Sequence, residues 1–402
     1  MTSKNTNTSE PSLEDAINQL FLRFLVGKKK IDQEGEYSDG LLEEELDDRP
    51  LAVLPQDRNG RTQRILLDVE KQRVKRVEAD KRLKNKRNAL LMRYFQQSLL
   101  KVINEKLENS DNVINDQLQL RESTVELLKK LLAGEPRYSV LASLLELNIG
   151  TRNRLLFLVN SDNFMSALGR DSRYVRDIQS AIGLIGTDVL RYVVPALLFK
   201  YRINAYSHHN ALFAKKLWRY ELTLGQACIA LMQEANYRRP YEGMLLSAMV
   251  NFAYVAGYQQ YLTSFEVVRS ACLNKARDKG EKAQHDFFYE IQSDSASLQA
   301  LLVSQSSLKL SLSIATNIFK QDFPHLVNAL KEEVEQLPFD DRSTVGKILF
   351  SAVRFAKYDQ LRASRLFKPQ WLEDYLRGSQ IDETTYKNLL RQELFRFKPI
   401  WP

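Results

Sequence analysis

Apolar residues recur every three or four positions through most of the chain, the period of a helix with one buried face. Val125, Leu128, Leu131 and Leu132 form one such stripe, Leu155, Leu156 and Val159 a second, and Ala227, Ala230 and Leu231 a third. Leu298, Leu301 and Leu302, then Leu308, Leu310, Ile314 and Ile318, continue the pattern. Short β-like runs such as Tyr192-Val193-Val194 sit inside longer helical stretches, so no strand is expected there. Gly150, Gly169, Pro240, Gly280, Pro324 and Pro338 are read as turns between helices. The pattern predicts an all-α protein.

The N-terminal part is organised differently. Residues 1–11 are rich in Thr, Asn and Ser and predict disorder. Ser12 then caps an amphipathic helix carrying Leu13, Ala16, Ile17, Leu20, Phe21, Phe24 and Leu25, which Gly27 ends. Followed by Lys28-Lys29-Lys30, its apolar face could meet a membrane surface, a partner or, the favoured reading, this protein's own body. Residues 31–60 read as an acidic linker, so 1–60 form a flexible arm with one short helix. Residues 61–114 read as a long basic helix: from Arg61 to Leu107 there is neither Pro nor Gly, and helix formers dominate. Its apolar positions are sparse until Leu90 and dense afterwards, which predicts a solvent-facing first half and a packed second half. Residues 115–330 form the main helical domain and 331–402 a helical extension packing on it, with the aromatic stretch Leu394–Pro402 seated in a groove.

With 402 residues, 44% of them hydrophobic, the chain can bury a sizeable core. The net charge of +8 is not spread evenly. Asp32–Asp48 holds nine acidic residues and no basic one, whereas Arg61–Arg93 holds twelve Lys or Arg against four Asp or Glu, an excess equal to that of the whole chain. This basic run could bind phosphates, but it lacks interleaved aromatics for stacking and contains Glu70, Glu78 and Asp80. A solvated face, an acidic protein partner and nucleic acid are therefore the readings weighed for it, with Arg73, Arg76, Arg82 and Lys86 as the partner-binding candidates. The two cysteines, Cys228 and Cys272, have neither zinc-site nor disulfide-framework spacing, and a reduced cytoplasm is the expected setting. Neither a secretory leader pattern nor a run of 18 apolar residues is seen, so no membrane span is expected.

Several apolar motifs occur in a telling order. Leu141-Ala142-Ser143-Leu144-Leu145-Glu146-Leu147-Asn148 is followed by Leu155-Leu156-Phe157-Leu158-Val159-Asn160-Ser161-Asp162-Asn163-Phe164. Next come Ala181-Ile182-Gly183-Leu184-Ile185-Gly186 with Leu190-Arg191, then Leu217-Trp218-Arg219-Tyr220, and last Leu245-Leu246-Ser247-Ala248-Met249-Val250-Asn251-Phe252-Ala253-Tyr254. In order and spacing these resemble the HDOD domain family, clearest over residues 140–260, with Asn160, Ser161, Phe164, Ala181, Ile182, Gly186 and Trp218 on matched motif positions. The resemblance implies an all-helical HD-like fold used in bacterial signalling and regulation. It also implies that the metal site of HD proteins is degenerate here. Tyr220 stands at the first ligand His, Asn251 and Phe252 at the His-Asp pair, and Tyr254 at a small Gly. A phenol, an amide and a phenyl ring cannot replace imidazoles and a carboxylate around a divalent metal.

No other catalytic pattern takes its place. The four histidines are His208, His209, His285 and His325, and the one literal His-Asp pair, His285-Asp286, lies in a polar helix start rather than in the apolar helix that would carry it. Phosphate-loop and nucleophile signatures are absent. Asn160 and Ser161 could hold a small polar ligand, although residues of this kind at a helix end more often satisfy backbone groups. The expectation is a cytoplasmic regulatory protein with no cofactor and no catalytic metal, acting by protein–protein interaction. The alternatives are a divergent metal-dependent phosphohydrolase and a nucleic-acid-associated module using the basic helix.

Overall fold

The computed structural model describes residues 12–27, 68–132, 134, 137–171, 173–204, 211–292, 295–303, 306–379 and 381–396. Helix α1 (Leu13–Val26) begins where the Ser12 side chain accepts from the Asp15 N–H, and α2 (Asp68–Leu107) runs 40 residues. After a π-helical turn, Val113–Gln117, come α3 (Glu122–Leu132), α4 (Tyr138–Leu147), α5 (Ile149–Val159) and α6 (Asp162–Ala167). Three long helices follow: α7 (Ile178–Asn204), α8 (Ala211–Glu234) and α9 (Glu242–Asp278). The chain continues through α10 (Lys282–Glu290), α11 (Ser295–Val303), α12 (Ser306–Phe319), α13 (Pro324–Val334), α14 (Thr344–Ala363), α15 (Leu372–Leu376) and α16 (Glu383–Arg391). Among the described residues there is no strand, and Tyr192-Val193-Val194 lies buried within α7.

The core is built around α8 and α9. These two helices approach closely because each presents a glycine to the other. A Cβ on Gly225 would sit 2.4 Å from the Met244 sulfur, and one on Gly243 would sit 2.9 Å from both the Cys228 Cβ and the Ile229 backbone nitrogen. Helices α2, α7 and α12 pack around α9, while α14 packs on α8. Ser311 of α12 reaches the backbone of α9, where its hydroxyl donates to the Val250 carbonyl at 2.9 Å. Cys228 and Cys272 are both free and buried.

Helix α1 packs on this body, the reading favoured for its apolar face. Ile17, Phe21 and Leu25 are fully buried. The Lys216 ammonium, itself inaccessible to solvent, donates to the carbonyls of Phe24 at 2.5 Å and Gly27 at 2.6 Å, placing a cation on the negative end of the helix. From α14, Arg354 pairs with Glu14 at 2.5 Å and Lys357 donates to Asn18 at 2.7 Å. Lys28-Lys29-Lys30, residues 1–11 with their expected disorder, and the acidic linker lie outside the described residues, as does the start of the basic segment before Asp68.

Helix α2 divides as its apolar pattern predicts. Residues 75–87, with Val77 and Leu83, are exposed, whereas Phe95, Leu99 and Ile103 are buried. At about 1.5 Å per residue the whole helix is roughly 60 Å long. The C-terminal segment packs on α8: Arg219 lies 4.2 Å over the Phe395 ring, Gln226 donates to the Arg396 carbonyl at 2.6 Å and Leu394 is buried. Residues 397–402 lie outside the described part.

Helix α7 bends at Gly186, whose φ of 75° only glycine adopts readily, and carries Pro195 farther along. Residues 178–200 are long and apolar enough to cross a membrane by length and composition, yet two-thirds of that stretch is packed inside the protein. Two local expectations need correction. Gly150 lies in the first turn of α5 rather than in a loop, because a single residue, Asn148, suffices to break α4 from α5. The motif also predicts that Leu156, Phe157, Val159 and Phe164 are all buried, but Phe157 is 80% exposed on the outer face of α5, whereas Val159 and Phe164 are buried and Leu156 is partly so. Phe164→Ala should therefore cost about 3–5 kcal/mol through the cavity it leaves. Phe157→Ala should stay within about 0.5 kcal/mol of wild type. Urea unfolding of both variants checks this, and equal losses would show that α5 is turned the other way in solution.

Candidate functional site

The positions matched to the HD metal ligands lie along the α8–α9 seam, but their side chains face different neighbours. Tyr220 turns toward α1, where its ring centroid lies 4.6 Å from that of Phe21. Asn251 turns toward α8, and its amide donates to Glu221 Oε2 at 2.7 Å. Phe252 turns toward α7 and lines a small apolar void with Pro195, Leu198 and Phe199. All three are buried, as is Trp218 in part, with the Lys200 ammonium 4.9 Å from its ring centroid.

What the seam does bring together is Glu221, Ser247 and Asn251, each fully inaccessible. Glu221 follows the matched position by one residue and shares a face with Leu217, Leu224 and Cys228, which are also buried. That spacing was the one signal in the sequence that a carboxyl would be buried here. Burial raises its pKa to about 8, against the opposing pull of the hydrogen bonds from Ser247 and Asn251. The geometry agrees with a neutral acid. Ser247 Oγ lies 2.6 Å from Glu221 Oε1 and 3.1 Å from the Met244 carbonyl, and its one proton cannot serve both. With Glu221 protonated, the carboxylic O–H donates to Ser247 and Ser247 donates to Met244. The neighbouring Tyr220 and Cys228 are pushed upward by burial too, so this seam carries no ready anion.

This donor set does not fit a divalent metal. One neutral carboxyl, an amide and a hydroxyl, committed to one another and to the backbone, offer neither imidazole nor paired carboxylates. Among the described residues no three His, Cys, Asp or Glu side chains converge as metal ligands would. His285 and Asp286 sit 3.7 Å apart on α10, both substantially exposed. His208 and His209 lie outside the described residues. The fourth histidine, His325 on α13, meets a second buried carboxylate that sequence reasoning did not find. Its Nε2 is 2.7 Å from Glu242 Oε2, while Arg239 approaches Oε1 at 3.1 Å. This group ties α13 to the start of α9 through one histidine, one arginine and one carboxylate.

The remaining motif residues hold the backbone in place. Asn160, at the end of α5, donates to the Val175 carbonyl at 2.9 Å and accepts from the Val175 N–H at 2.8 Å, pinning the segment before α7. Ser161 precedes α6 without a side-chain capping bond, and Ala181 and Ile182 are buried on α7. Arg191 donates to the Leu131 carbonyl at 3.1 Å, and also to the Gly134 carbonyl, so it closes the end of α3. Arg73, Arg76, Arg82 and Lys86 are exposed along the first half of α2, away from the seam.

Comparison with known proteins agrees with this architecture. The family model described as HDOD domain matches residues 118–297, from just before α3 into α11. Neither the curated proteins nor the solved structures gave a match. The matched region contains every motif from Leu141 to Tyr254 and the whole α7–α8–α9 core, so this chain carries an HDOD domain at residues 118–297.

Proposed function

We propose that this protein is a non-catalytic regulator of bacterial signal transduction, working in the cytoplasm without a cofactor and binding a protein partner on its HDOD scaffold. The observation that carries the reading is the sealed seam. Where an HD hydrolase would hold its metal, this chain has Tyr220 packed on Phe21, Phe252 turned into apolar surroundings, and Asn251 spent on a neutral Glu221. A scaffold that keeps its core while filling its reaction centre retains surfaces as its means of action. The exposed first half of α2 is the surface we assign to partner binding. It concentrates basic side chains on a helix that the body does not cover, and like charges so close repel one another at a cost that an acidic partner would offset.

Elemental analysis of the purified protein should find no stoichiometric Zn, Fe, Mn, Mg or Ni, and phosphodiesterase assays should show no turnover. About one bound metal per chain, together with activity lost on mutating His285, would overturn the reading in favour of a divergent phosphohydrolase.

The neutral state of Glu221 has its own signature. Its ordinary pKa of 4.5 rises to about 8 in the fold, so between those values the unfolded chain loses a proton that the folded chain keeps. The stability this confers is fully present below pH 4.5 and declines until it is gone above pH 8. Glu221→Gln preserves the shape and can donate to Ser247, so it should escape the decline. Its advantage in Tm over wild type should grow across that window and then level off. A difference that does not vary with pH would mean the carboxyl is ionised inside the fold.

Reversing Arg73, Arg76, Arg82 and Lys86 to Glu should leave the helical content and Tm unchanged, since these side chains are exposed. Partner capture should weaken, and wild-type capture should fall as salt brings the Debye length below about 10 Å. Undiminished capture by the quadruple variant at low salt would move the partner site onto the helical body. Retention of nucleic acid by wild type alone would support the third reading.

A further inference from the structure

A cleft of about 220 Å³ opens on the side of the domain where α3, the α4–α5 junction and α7 meet. One wall is the N-terminus of α5, and it lacks the cap that would normally close it. Asn148, the capping residue, is drawn away: its Oδ1 accepts from Thr124 Oγ1 at 2.5 Å and its Nδ2 donates to the Leu144 carbonyl at 2.8 Å. The backbone N–H groups of Ile149, Gly150 and Thr151 consequently have no partner among the described residues. They point along the positive end of the helix dipole.

An independent feature lies beside them. The Thr151 side chain is 97% buried (3% exposed), lines the cleft and makes no hydrogen bond among the described residues. An unsatisfied hydroxyl at the edge of an uncapped helix end is a donor held ready for an acceptor. Two arginines complete the lining. Arg202, 5% exposed, is fixed by the carbonyls of Leu118, Leu198 and Gln119, and Arg121 stands at the rim with no ion pair or side-chain hydrogen bond among the described residues. No carboxylate lines the cleft, and Glu146 nearby in sequence is taken by Arg152 at 2.8 Å. At the mouth, Leu147 and Ile149 are 66% and 65% exposed, apolar side chains placed on either side of the Asn148 junction.

From this arrangement we infer that the cleft is a binding site for a small organic phosphate. The α5 N–H groups, the Thr151 hydroxyl and Arg121 take the phosphoryl oxygens, while Leu147 and Ile149 cover the carbon skeleton. The volume suits this class: at about 30 Å³ per water the cleft holds roughly seven, enough for a phosphoryl group and one small ring. This inference stands apart from the partner surface on α2, and either can fail without the other.

Phenyl phosphate, inorganic phosphate and phenol are the probes, titrated by calorimetry into the full chain at low ionic strength. Phenyl phosphate should bind saturably and tighter than inorganic phosphate, and phenol should give no saturable heat. Arg121→Gln should weaken phenyl phosphate about tenfold, the loss of one charge-assisted contact. Thr151→Val should weaken it as well, whereas Thr151→Ser, which keeps the hydroxyl, should bind like wild type. Arg121 is exposed and Thr151→Ser is conservative, so these two variants remain informative even where Thr151→Val fails to fold. The inference is overturned if phenyl phosphate does not saturate, if it binds no tighter than inorganic phosphate, or if Arg121→Gln binds it as wild type does.

Discussion

The close approach of α8 to α9 governs this molecule. Gly225 and Gly243 remove the side chains that would hold the two helices apart, and the backbones then come near enough for Glu221, Ser247 and Asn251 to bond across the seam. Such proximity excludes water, and excluding water sets the protonation of Glu221. Along the same seam Tyr220 packs on Phe21 and Phe252 lines a small apolar void. The scaffold and the buried Glu221–Ser247–Asn251 cluster are thus two results of one packing arrangement.

Around this pair the other elements are secured by polar atoms placed at helix ends. Lys216 closes α1, Arg191 closes α3, Asn160 fastens the segment before α7, and Glu242 with His325 joins α13 to α9. Each satisfies backbone carbonyls or a buried charge that would otherwise be costly. At the start of α5 the capping Asn148 is instead committed to Thr124 and the Leu144 carbonyl. The first N–H groups of α5 are thereby left facing the cleft between α3, α5 and α7.

The domain match also clarifies the division of the chain. The HDOD match ends at residue 297, yet α14 packs on α8 and the tail reaches the same helix through Arg219 and Gln226. Helix α1 arrives from the other end of the chain and covers Tyr220. Segments outside the matched domain therefore complete its core, and Tyr220, which stands where the first ligand would be, is held by a residue from beyond the domain boundary.

The sequence by itself determined the helical class, the HDOD domain, the concentration of positive charge on α2 and the chemical types at the positions matched to HD ligands. These are legible because helical period and residue identity are local properties. Tertiary structure alone decided which way each face turned. The chain order of Tyr220 and Glu221 does not say that the first meets α1 and the second α9, and the amphipathic pattern of α1 does not name its partner. Phe157 shows the limit most plainly: the motif around it reads as core, but only Val159 and Phe164 find neighbours to bury them. Nor could the cleft be read in advance, since Arg121, the Asn148–Thr151 start of α5 and Arg202 lie on separate elements. Their juxtaposition comes from packing over long chain separations, and a repeating pattern of apolar positions records that a helix is buried without recording against what.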